Sequence, residues 1–149
     1  MQTFDGFVVE VESFDRATGM ARVRSAIGTF SATWMGNDPL PGEKSYVELS
    51  TEPTAVWGTD VTDASPDEPD AVIDDADSWT FVGTILGVVP GEPGYSDAGR
   101  DIPQHDLEDG VIHLRIGNCV FWFVADVLPA DAAGSRVRVH QTEVQLWPQ

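Results

Sequence analysis

The densest gathering of groups that could do chemistry in this chain lies in an insert rich in Gly and Pro. There Asp97, Asp101, His105, Asp106, Glu108 and Asp109 follow one another within thirteen residues of sequence. Carboxylates suit Ca²⁺ or Mg²⁺, and an imidazole suits Zn²⁺. The spacing matches no ligand signature: there is no D-x-[DN]-x-[DN]-G loop and no H-E-x-x-H helix. A metal-dependent hydrolase built on 97–109 is therefore carried only as an alternative. The expectation is no metal and no cofactor.

Nucleophilic catalysis needs Ser or Cys beside a base. The single Cys119 excludes an internal disulfide and sits in Cys119-Val120-Phe121-Trp122-Phe123-Val124, where a thiol reads as a small core group. Residues 94–98, Gly-Tyr-Ser-Asp-Ala, are not a G-x-S-x-G elbow. Gly83 and Gly87 fall within a strand pattern with no Lys-Ser/Thr after them, so they make no phosphate cradle. No catalytic residue is expected, and a non-enzyme is the favoured reading.

Charge speaks more clearly. The 149 residues carry 25 Asp+Glu against 8 Lys+Arg, a net charge of −17. Such a field repels nucleic-acid phosphates and anionic membranes and favours a basic protein partner. Residues 58–78 concentrate it, with Asp60, Asp63, Asp67, Glu68, Asp70, Asp74, Asp75 and Asp77 and no Lys or Arg. Self-repulsion predicts an acidic linker or mobile loop that steers towards a basic surface. The leading expectation is a non-catalytic acidic interaction protein, of the kind that inhibitors and immunity proteins of basic enzymes exemplify. The second alternative is a nucleic-acid or small-ligand binding barrel, using a face made of His113, Arg115, Arg136, Arg138 and His140. Against it stands the expectation that these arginines pair with neighbouring carboxylates. With no membrane-length apolar segment and no basic-then-apolar start, a soluble cytoplasmic protein is expected.

The elements that must position these groups read as strands. Residues 7–14 alternate, Asp15-Arg16-Ala17-Thr18-Gly19 turns the chain, and 20–25 alternate back. One register sets Glu10 opposite Arg24, Glu12 opposite Arg22, Phe14 opposite Met20 and Val11 opposite Val23, with Phe7 meeting Ile27. Strands over 29–34 and 44–49 follow, with a short fifth over 54–57. Ala71-Val72-Ile73 is the only stretch of the acidic segment able to dock. Later strands are expected over 79–89, 111–116, 118–124, 136–140 and 143–147, with one helical turn over 129–134. The 119–124 run is apolar on both faces and predicts burial on both, as a seam between units or a homodimer contact.

These two series resemble each other. Gly19 with 20–24 matches Gly110 with 111–115; Gly42 and Lys44 match Gly134 and Arg136; Trp57 matches Trp147. Fixed-order self-similarity predicts a duplicated unit. The expected fold is all-β: two small five-stranded barrels similar to the OB or SH3-like superfolds. Their limits are 1–57 and 79–149, joined by 58–78, with the long insert 90–109 in the second. A single larger β-sandwich or barrel is the competing architecture.

Overall fold

The computed structural model describes residues 7–52, 54–75, 78–90, 110–126, 129 and 131–149. Among them are twelve strands and no helix. The strands are β1 (Phe7–Asp15), β2 (Met20–Ser25), β3 (Gly28–Trp34), β4 (Lys44–Glu52), β5 (Ala55–Val56) and β6 (Val61–Asp63), then β7 (Ala71–Asp75), β8 (Ser78–Pro90), β9 (Gly110–Ile116), β10 (Cys119–Asp126), β11 (Arg136–Gln141) and β12 (Glu143–Pro148). Strands β1-β2-β3-β12-β4 close into a barrel. A second sheet runs β5-β10-β9-β8-β11-β6, with β7 also paired to β8. Since β5 and β6 are consecutive and bridged through Trp57 and Val61, this sheet nearly closes as well. The fold is all-β and built of small barrel units.

The fifth strands are exchanged. Residues 143–147, expected to complete the second unit, form β12, which pairs parallel to β3 and antiparallel to β4 in the first barrel. Conversely β5, expected in the first unit, pairs parallel to β10. Local pattern makes a segment a strand but says nothing of which open edge it fills. Here the chain leaves β11 beside the end of β4, where the Thr142 amide donates to the Glu52 carbonyl at 3.2 Å.

The opening hairpin keeps two of its five expected pairs. Glu10 opposes Arg24 and Val11 opposes Val23. A bulge at Glu12 then shifts the pairing, so Ser13 opposes Arg22 and Phe14 opposes Ala21 rather than Met20. Phe7 has Val47 of β4 as its partner instead of Ile27. The sequence carries the added residue as a slip in phase: Phe7, Val9 and Val11 are two apart, whereas Phe14, which packs against the core, follows Val11 by three. The turn is as expected: the Asp15 carboxylate accepts the Ala17 amide at 2.9 Å, and Gly19 has φ 75°.

Two expectations are corrected outright. The acidic segment is no mobile linker, since its described residues include β6 on β11 and β7 on β8. Three of its carboxylates, Glu68, Asp70 and Asp74, are held by partners that lie far away in sequence. Strand β10, in turn, is no seam between the units: within this chain Phe121, Phe123 and Ala125 are interior, whereas Trp122 is 57% and Val124 48% exposed, as the face of a homodimer contact is before association. Over 129–134 there is a turn rather than helix, with the Ala132 amide donating to Pro129 and the Ser135 amide to Ala132. One core spans both sheets, and Phe7 meets Phe121 edge-on across them at 5.1 Å.

Candidate interaction face

The structure gives half of the acidic segment's carboxylates an internal partner. Asp60 accepts the Val56 amide at 2.9 Å. Glu68 takes the Arg138 fork through Nε and Nη2, at 2.8 and 2.6 Å. Asp70 pairs with Arg136 and accepts the Gly117 amide at 2.9 Å. Asp74 accepts the Ser31 amide at 2.8 Å and pairs with Arg22 at 3.3 Å. Asp63, Asp67 and Asp75 are exposed. Asp77 lies outside the described residues, as do Asp97, Asp101, His105, Asp106, Glu108 and Asp109.

Electrostatics follow from those contacts. The Arg138 hydrogen bond holds Glu68 below its ordinary range, and the same pair raises Arg138. Burial pushes Asp70 up, but the Arg136 hydrogen bond, the Gly117 amide and the nearby guanidinium charges outweigh it, so its carboxyl also lies low. Burial pushes the Cys119 thiol up, away from the thiolate a nucleophile needs.

The expected basic face is thereby partly spent. Arg136 and Arg115 flank Thr84 on neighbouring strands, in one row across β11-β8-β9. The Arg136 and Arg138 forks are turned onto Asp70 and Glu68. His113 stacks at a tilt against Trp122, 6.4 Å between ring centres, and His140 is exposed at the end of β11. These five residues do not converge on one free cationic groove.

Among the described residues no three His, Cys, Asp or Glu side chains gather as metal ligands. Two open clefts flank Phe14, one placing Arg16 near Asp38 and the other Arg22 near Ser31. Neither joins a nucleophile to a base. No helix among the described residues is long and apolar enough to cross a membrane.

A different surface, not singled out from sequence, has the composition of a binding face. It is the outside of the β4–β12 seam. Glu48 opposes Trp147, Ser50 opposes Gln145, and Glu52 opposes Glu143. Tyr46 lies diagonally beyond Trp147 and opposite Val8 of β1. Val8, Tyr46 and Trp147 are 57%, 52% and 44% exposed. A chain of hydrogen bonds fixes the indole: Trp147 Nε1 donates to Ser50 Oγ at 2.9 Å, and Ser50 Oγ donates to Gln145 Oε1 at 2.8 Å. Gln145 Nε2 then reaches Glu52 at 3.5 Å. Lys44 stands at the far end of β4, opposite Glu10.

The alternation of Tyr46, Glu48, Ser50 and Glu52 was legible, as was that of Glu143, Gln145 and Trp147. Their pairing across some 95 positions was not. No protein-family model, curated protein or solved structure matches this chain.

Proposed function

We propose that this protein is a non-catalytic acidic interaction module whose β4–β12 face engages a basic protein partner. The observation that carries this reading is the pair Glu52 and Glu143, directly opposed on antiparallel strands and both exposed. Like charges so placed work against the sheet. They share this face with Trp147, four residues along β12, and with Tyr46 beyond it, and Glu48, directly opposite Trp147, adds a third carboxylate. Clustered carboxylates around Trp and Tyr match a guanidinium or ammonium group, which is attracted by the carboxylates and by the ring faces. The hydrogen-bonded indole is already held in place, so less ordering is lost on binding.

The net charge of −17 supplies long-range attraction to such a partner. Five of the arginines are drawn onto carboxylates of the same chain: Arg16, Arg22, Arg24, Arg136 and Arg138. That leaves the acidic excess to the surface and supports a basic partner over a nucleic acid. The acidic segment contributes through Asp63, Asp67 and Asp75, while its other carboxylates with described partners act as fasteners.

Titration with an oligo-arginine peptide, read by tryptophan fluorescence and calorimetry, tests the reading. Binding is expected to weaken with salt, and by roughly tenfold in both Trp147→Ala and the double variant Glu52→Lys, Glu143→Lys. Affinity that ignores these substitutions removes the face from the mechanism.

A further inference from the structure

We propose that the outer face of β8–β9–β10 binds a second copy of this chain through a two-fold contact. The face lies on the other sheet and shares no residue with β4–β12, so the two proposals stand or fall separately. Three cross-strand rows build it: Arg115 with Val120, His113 with Trp122, and Val111 with Val124, the last extended by Val89 of β8. Val89, Trp122 and Val124 are each about half exposed, whereas the residues alternating with them are interior. Asp126 continues the same face at the far end of β10, two positions beyond Val124.

A contiguous apolar stretch on so acidic a protein marks a contact surface. Its polarity identifies the occupant. One end carries Arg115 and the other Asp126, about 20 Å apart for six residues of strand. A two-fold axis lying in the sheet plane and crossing the strands between Trp122 and Val124 reverses the face end for end. It brings Arg115 of each copy over Asp126 of the other, and Trp122 over Val124. This is the self-complementarity that an isologous interface requires. A basic partner would find a cation at one end and only one carboxylate at the other, so it belongs elsewhere.

The face is small beside the ~800 Å² per partner of standard complexes, so the dimer is weak, with Kd on the order of 100 µM. Two copies at −17 each repel, and added salt therefore tightens the dimer. Binding of a basic peptide has the opposite salt dependence.

Sedimentation equilibrium on the full chain up to about 1 mM, in about 0.05 and 0.5 M salt, reads both effects. Val124→Glu abolishes association. Arg115→Glu and Asp126→Arg each weaken it roughly tenfold at intermediate salt. A mixture of these two single variants associates again, because both end contacts then join opposite charges and because each variant must be folded to do so. A monomer throughout overturns the proposal, as does a dimer that tolerates Val124→Glu or a mixture that does not recover. The basic-partner reading survives any of these results.

Discussion

The Asp74 carboxylate accepts the Ser31 backbone amide at 2.8 Å, joining β7 of one sheet to β3 of the other across 43 residues of sequence. Arg22 reinforces it from β2, and the Trp79 indole donates to the Ser31 carbonyl at 2.6 Å. The Val72 amide reaches the Ile27 carbonyl at 3.2 Å along the same junction. What looks in sequence like a solvated acidic run is a strap between two barrels.

Asp74→Ala therefore leaves a half-buried amide without its acceptor and Arg22 without one of its partners. The expected cost is about 1–3 kcal/mol in chemical denaturation. Asp63→Ala, at an exposed carboxylate of the same segment, is expected to stay within about 0.5 kcal/mol. Equal effects would mean that the strap does not depend on these contacts.

The strap also sets a pH dependence. Asp70 and Glu68 titrate lower in the folded protein than their ordinary values of 3.8 and 4.5. The unfolded chain then binds protons more readily than the folded one as acidity rises. Their contribution is fully present above the ordinary values and is lost as pH falls through the folded ones. Melting temperature should drop as pH is lowered from about 5 to about 3, with a shallower slope in Asp70→Asn. An identical slope in the variant would assign the acid sensitivity to other carboxylates.

Gly83 is required by packing rather than by turn geometry. A Cβ there would run into the Arg115 carbonyl oxygen, which is backbone and cannot swing aside. Gly83→Ala must force β8 and β9 apart, with an expected loss of about 3 kcal/mol. Gly87, on the same strand, has nothing within 4 Å of its Cβ position. Gly87→Ala is expected to be tolerated within about 0.5 kcal/mol, and thermal melts of the two proteins compare them directly.

The exchanged strand predicts that residues 1–57 do not fold alone. Without β12 the edges of β3 and β4 are unpaired, and buried Val144 and Leu146 are missing from the core. Circular dichroism of that fragment should show a largely unfolded chain. A cooperative melt of 1–57 would show that the barrel closes without its borrowed strand.

Some of this was legible because the causes are local. The hairpin over 7–25 declares itself through alternation on each strand and an Asp-to-Gly turn, and the register at Glu10 and Arg24 follows from matching charges. Ile112, Leu114 and Ile116 face inward as their period-two spacing requires, all at 0% exposure. The bulge at Glu12 left a local trace that went unread, because the inward series Phe7, Val9, Val11 resumes only three positions on, at Phe14. The candidate face escaped for a different reason. Tyr46 and Glu52 belong to one strand and Glu143 and Trp147 to another, and each alone is an ordinary solvated edge.

By itself the amino-acid order determined ten of the twelve described strands, the all-β class and the excess negative charge, since period-two patterning, turn residues and ionisable groups act over a few neighbours. Tertiary structure alone decided that the two barrel units trade their last strands, that Asp70 and Asp74 are fasteners, and that Glu52 confronts Glu143. Those outcomes depend on which free edges and which opposite charges come within reach once distant segments share a core, and no local window contains that information.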